Sequence, residues 1–287
     1  MKIFALLPWS DWLAILWFFS GWIGYAWFAR HYGVKRPSLL QTTNRYRHYW
    51  LIQATARDPR VIDGIITQNL SSTPAFFSST TIIIIGGLFA LLGTTDKATE
   101  LVREIPFAVR TSVLIFDLKV IMMVGVFVYA FFRFSWSMRQ YTFVALVIGS
   151  MPSPQEFEQG KFDREVFARR ASRLVGLAAE TFNDGLRGYY FSFAIMAWFF
   201  STIAFALATA VVVLILYNRE FDSDVLGVLP EVPPARERIF PFISSTWLEF
   251  WVLAAAYTLI CSISARARWC AGVGVVSSSK ADASGPA

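Results

Sequence analysis

The sequence predicts an all-α, polytopic transmembrane helix bundle of about five spans, with amphipathic cytoplasmic helices, on four observations. The chain is 55% hydrophobic and 16% charged, against about 45–50% apolar and about 25% charged in an average soluble domain. Its apolar residues come in blocks of about twenty, the length a helix needs to cross a bilayer. Residues 112–152 hold no proline before Pro152 and read as one uninterrupted helix. At a rise of about 1.5 Å per residue it is about 60 Å long, twice the roughly 30 Å hydrocarbon core, so it crosses once and projects into the cytosol. Finally, the basic residues gather in segments 30–73, 133–187 and 266–287, beside the ends of the apolar blocks, as cytoplasmic segments do.

Taken in order, the first span is about residues 12–29. Trp9, Trp12 and Trp27 suit the two interfacial belts, and Ser20 and Gly24 offer a small face for close packing. Pro37 breaks the chain after it. Residues 39–56 read as a basic, aromatic helix near the membrane surface. Asp58-Pro59 reads as an N-cap and first helical position, with Val61, Ile62, Ile65, Ile66 and Asn69 sharing one helix face after it. The second span is about 75–92, with a kink or restart expected at Pro74 and a small pair at Gly86 and Ala90. Residues 94–110 form a mixed-charge connection.

The third span is about 113–134. Its projecting end, 141–149, is almost wholly apolar and needs a protein cover, from the cytoplasmic helices or from a second copy of the chain. An amphipathic helix over 163–182, lined by Phe167, Ala171, Leu174 and Ala178, is one such cover. The fourth span is about 189–217, with Tyr189 and Tyr190 as interfacial anchors. An outer loop over 218–238 and a fifth span over 240–262 follow. This order places the N-terminus outside and the C-terminus inside, and divides the chain into 1–225, an added loop and span over 226–268, and a disordered tail over 269–287.

The net charge of +6 points to an acidic lipid surface rather than to nucleic acid, because it sits beside membrane ends. Cys261 and Cys270 lack metal-ligand spacing and read as free thiols. Met1 to Ala29 reads as an uncleaved anchor. His31 and His48, the two histidines of the chain, have no carboxylate at ligand spacing and read as surface or headgroup-facing. There is no P-loop, G-x-S-x-G or H-E-x-x-H pattern, and the hydroxyls of 71–81 lack a nearby base. The expectation is no cofactor, no metal and no enzymatic activity.

Charges within spans are the natural functional candidates in a membrane protein: Asp117, Lys119, Arg133 and Glu249. Their depth places Asp117, Lys119 and Glu249 near the outer boundary, where long side chains snorkel, and pairs Lys119 with Glu249. At the cytoplasmic ends, Arg139, Gln140, Asn183, Arg187 and Asn69 either converge on one polar vestibule or cap helices and satisfy carbonyls.

Three stretches carry a resemblance. They are RVIDGIITQNLSSTPAFFSSTTIIIIGGLFALLG (60–93), KVIMMVGVFVYAFFRFSWSMRQYTFVALVIGSMP (119–152) and FNDGLRGYYFSFAIMAWFFSTIAFALATAVVVLILYNREFDSD (182–224). Over about residues 10–225 the chain resembles the membrane-protein family catalogued as domain of unknown function 599. The resemblance implies a multi-pass membrane protein and supplies no activity; residues 230–287 look like an extension beyond it. The expected role is a non-enzymatic structural or accessory component of a bacterial-type cytoplasmic (inner) membrane, in contact with membrane lipid and with itself or another membrane protein. The alternative is an ion or small-solute channel or transporter.

Overall fold

The computed structural model describes residues 7–32, 38–95 and 112–229. The predicted fifth span, Glu249 and the tail lie outside them. Among the described residues the regular structure is helical: α1 (Trp9–Tyr32), α2 (Leu39–Ala54), α3 (Val61–Gly93), α4 (Val113–Gly149), α5 (Pro154–Glu158), α6 (Arg164–Trp198), α7 (Thr202–Phe221) and α8 (Asp224–Val228).

The predicted long rod is α4, 37 residues without a break. Ser112 starts it by accepting a hydrogen bond from the Ile115 amide, which satisfies a donor the first helical turn leaves over. One face of its projecting end is covered, while Phe143, Ala145 and Leu146 on the other stay exposed. Tyr141, Val144 and Ile148 are buried with Leu51 and Ala54 of α2 and with Ala171, Val175 and Ala178 of α6. Phe167 and Leu174 of the predicted amphipathic face pack against this cluster.

The fourth span differs from the prediction. Instead of one crossing over 189–217, the chain turns back at Phe199–Ser201. α6 ends at Trp198, and the Ser201 hydroxyl accepts from the Ala204 amide to begin α7. Hydropathy reads straight through this turn because two phenylalanines occupy it; the serine cap carries the stop. The amphipathic stretch and the first half of the predicted span are thus one helix, α6. Trp198 stacks on Phe205 at 5.1 Å and Tyr190 accepts from Arg219 at 3.1 Å, so α6 and α7 form an antiparallel hairpin. Residues 218–222 accordingly return to the α2 end, where Glu220 accepts from the Leu40 amide at 3.3 Å. The predicted outer loop therefore begins at the end that holds Arg30, and the order of ends behind the N-out, C-in count changes with it.

The other helices follow from ring and hydroxyl contacts. α4 runs antiparallel to α6, with Phe127 against Tyr189 and Ser137 donating to the Ala178 carbonyl at 2.7 Å. α3 runs antiparallel to α4, with a Ser78–Ser135 hydroxyl contact of 3.0 Å near the middle and Arg60 donating to the Met151 carbonyl at 3.1 Å at one end. α1 runs parallel to α7 through Trp17 and the Ala206 carbonyl, and through Gly21, whose absent Cβ would lie 3.3 Å from Thr209 Cγ2. The close approach is made at Gly21 and not at the predicted Ser20 and Gly24, both exposed.

α3 departs from its predicted faces. It is one helix through Pro74, not a restart there, and Arg60 stands at its N-cap in place of Asp58. Pro74 is buried inside the helix, and hydroxyls on either side of it bond back to carbonyls of their own turns, Ser72 to Asn69 and Thr81 to Phe77. The helix buries Asp63, Thr67, Pro74, Ser78 and Thr81 and exposes Val61, Ile62 and Ile65. The buried side is mostly polar, and the exposed side mixes apolar residues with Gln68, Asn69, Ser72, Thr73 and Ser79.

Candidate functional site

Two buried ion clusters mark the two ends of the apolar layer. At the Arg30 end the centre is Asp184 of α6. Arg30 of α1 donates to Oδ2 at 3.2 Å, Arg187 of α6 donates to Oδ1 at 2.8 Å, and Arg133 of α4 also donates to Oδ2. Asp184, Arg133 and Arg187 are all buried. One carboxylate therefore ties three helices together, and glycine makes the geometry possible. Gly185 and Gly188 let α6 lie against α4, where a Cβ at 185 would sit 2.5 Å from the Phe134 ring. The guanidiniums of Arg187 and Arg133 lie over the rings of Tyr25 and Tyr129, both at 5.7 Å, an arrangement that favours a partly desolvated cation. One turn earlier on α6, beyond the apolar layer, burial holds the Glu180 carboxyl above the usual carboxylate range despite Arg173, which donates to it at 3.1 Å.

At the opposite end, Lys119 of α4 is buried and donates to the Trp198 carbonyl at 2.8 Å. A cation on the last carbonyls of α6 opposes the negative end of that helix. Asp11 of α1 accepts from the Trp198 indole at 3.2 Å and from the Thr202 hydroxyl across the turn. The α6–α7 turn is thus pinned from both sides. We expect Lys119→Met to lower thermal stability by about 1.5–3 kcal/mol, the range for a lost hydrogen bond to a charged group. Tryptophan-fluorescence melts in detergent check this, and an unchanged midpoint would contradict it.

Along α4, Arg133 and Lys119 are fourteen residues apart, about 21 Å. Aromatic rings fill the space between the clusters. Trp22 stacks on Phe191 at 5.3 Å and meets Tyr129 edge-on at 5.4 Å, and Phe18 contacts both Phe191 and Phe205. The Thr81 and Tyr189 hydroxyls meet across α3 and α6 at 2.7 Å, while Ser192 and Thr209 bond back to carbonyls of their own helices. Tyr189 is thereby an interhelical tie and Tyr190 a partner of Arg219, rather than two free interfacial anchors.

The remaining predicted residues fall as follows. Asp117 accepts from the Thr95 hydroxyl at 2.8 Å, joining the ends of α3 and α4. Arg139 is exposed and lies over the Phe143 ring at 5.8 Å. Gln140 is buried, Asn183 half-buried and Asn69 exposed. Asn69 stands nine residues from Ser78, about 13 Å further along α3. Of Arg139, Gln140, Asn183, Arg187 and Asn69, offered either as one polar vestibule or as helix caps, Gln140 and Arg187 are buried while Arg139 and Asn69 are exposed. His31 is exposed as expected, but His48 is buried, with Nδ1 3.3 Å from the Ser172 hydroxyl where α2 packs on α6.

Sequence reasoning missed Asp184, Asp11 and Asp63. Asp63 is fully buried and accepts from the Trp50 indole at 2.7 Å and from Arg57 at 2.5 Å, fastening α2 to the start of α3. A signal for Asp184 was present: an aspartate followed by Gly185 and, at i+3, by Arg187. Among the described residues no three His, Cys, Asp or Glu side chains come together as a metal site.

Among the described residues four stretches, Trp9–Tyr32, Val61–Gly93, Val113–Gly149 and Thr202–Val228, are long and apolar enough to cross a bilayer. With ion clusters only at the ends of a ring-filled layer, they place the chain in the class of helical membrane proteins. The family whose model matches residues 13–225 is described as protein of unknown function, DUF599, and the chain belongs to that family. No curated protein and no solved structure matches the chain.

Proposed function

We propose that this chain is a non-enzymatic structural or accessory component of a bacterial-type cytoplasmic membrane. The observation that carries the reading is the aromatic layer between the Asp184 and Lys119 clusters. Polar groups stand at both of its ends, about 21 Å apart, and the described interior between them is packed with rings and no row of charges crosses it. A conduit needs polar groups through its depth. In this reading the second half of α6, from Asp184 to Trp198, is a further crossing. It is mostly buried by the other helices, with Phe193 and Met196 facing out. The end with Arg30, α2 and the first half of α6 faces the cytoplasm, on the bias of basic residues. Lipid and other membrane proteins are the partners, and nucleic acid is not.

The test is reconstitution. The chain should stay in the membrane pellet through an alkaline wash. Liposomes holding potassium- or chloride-sensitive dyes should leak no faster with the chain than without it. A reproducible flux that Lys119→Met or Asp184→Asn alters would overturn the reading in favour of a channel.

A further inference from the structure

We propose that the outward face of α3 docks a second copy of this chain, α3 against α3 in parallel about a twofold axis normal to the membrane. The proposal rests on the membrane reading above and names the partner. Val61, Ile65, Gln68 and Ser72 begin a series at alternating steps of four and three residues, which continues through Ser79 and Gly86. The series also takes in Ala75, Ile82, Phe89 and Gly93; Ala75 is half-buried and the other nine positions are exposed, so among the described residues most of the seam is uncovered along the helix. A spacing that averages 3.5 residues is the pattern by which two like helices wrap around each other.

Lipid alone does not account for this face. Ser78 marks the level of Ser135, two residues beyond Arg133 on α4. Val61 lies seventeen residues further along α3, about 25 Å past that level and outside the hydrocarbon. There Val61 and Ile62 are each 62% exposed and Ile65 is 55% exposed. An occupant that covers the whole seam must itself pass from lipid into water over about 50 Å, and α3 of a second copy has that length.

Charge and shape fit the same occupant. A twofold axis sets each residue near its own copy, so a charged face would repel itself. The one charged side chain of α3 is Asp63, and it is turned inward onto Trp50 and Arg57. Gly86 and Gly93 have nothing within 4 Å of where a Cβ would stand. Gly64 and Gly87, off the seam, are equally open, so packing among the described residues does not call for glycine at any of these positions, although glycine inside a helix costs stability. Close approach of a second backbone does call for it. A strip about 50 Å long and about 10 Å wide buries roughly 500 Å² per copy, or about 1,000 Å² in all, which meets the lower bound for a specific interface.

The test uses the full chain with Cys261→Ser and Cys270→Ser and one new cysteine at a time. Under mild oxidation in native membranes, Ile65→Cys, Ser72→Cys, Ser79→Cys and Gly86→Cys should each give a covalent dimer at twice the chain mass. Asn69→Cys and Gly87→Cys, off the seam, should give several-fold less. Separately, Ser79→Leu combined with Gly86→Leu should convert the nanodisc-embedded chain from dimer to monomer with unchanged helix content. Monomer at every seam position, equal dimer at the two control positions, or adducts of any other mass would each overturn the proposal. If the chain withstands the alkaline wash while the seam cysteines stay monomeric, docking fails and the membrane reading stands. If it is washed out, both fail.

Discussion

Asp184→Ala should be the most destabilising single change in the described bundle, by about 3–5 kcal/mol, the usual cost of removing one partner from a buried ion cluster. Asp184 accepts from Arg30, Arg133 and Arg187, and it is the acidic member of a buried group on three helices. Without it the guanidiniums repel one another, and the least exposed of them, Arg133, loses its buried carboxylate partner. Asp184→Asn keeps the shape and two acceptor lone pairs but loses the charge, so it should fall between wild type and alanine. Adding Arg187→Gln to Asp184→Asn should recover part of the loss, because it removes one of the stranded cations. Melting in detergent followed by circular dichroism is the measurement. An alanine variant as stable as the wild type would mean that the cluster does not hold α1, α4 and α6 together.

Gly185→Leu should come second, and the smaller change Gly185→Ala should already cost about 1–3 kcal/mol through overpacking. A Cβ at this position would lie 2.5 Å from Phe134 Cε1 and 2.8 Å from Cδ1. Phe134 has no exposed surface, and its ring is hemmed in by Phe77, Phe182 and Tyr189. It cannot swing away, so the helices must part. Phe134→Leu in the same chain should relieve the clash and restore much of the midpoint. Gly125→Ala is the matched control. Nothing lies within 4 Å of its Cβ position, and replacing a mid-helix glycine there should gain about 0.5–1 kcal/mol. Equal effects at 185 and 125 would mean that helix propensity, not the α4–α6 contact, sets both.

Much of this bundle was legible in the amino acids, because lipid imposes a simple rule on composition. α4 could be read whole: nothing in residues 113–149 stops a helix, and its excess length required the cover that α2 and α6 provide. The α6–α7 turn was hidden by the same rule. Phe199 and Phe200 carry a turn on apolar side chains, so mean hydropathy stays high while the backbone reverses. α3 shows the converse. Helical spacing correctly grouped Val61, Ile62 and Ile65, but spacing does not say whether an apolar face looks inward or outward. The buried partners were least visible. Lys119 was singled out by its depth, but its described partner is a backbone carbonyl, which has no letter in a sequence. Asp184 collects arginines from positions 51 and 154 residues away, a convergence no local pattern records.

The unbroken length of α4 and α6 has a mechanical consequence. Both pass from the ring-filled layer into the water-facing layer without a proline or a change of helix type, and the Asp184 group clamps them to each other where they do so. There is no joint at the lipid surface. A load placed on the α2 side is therefore carried as a lever carries it, tilting the rods as a unit, and the buried phenylalanines move with their helices instead of sliding past one another.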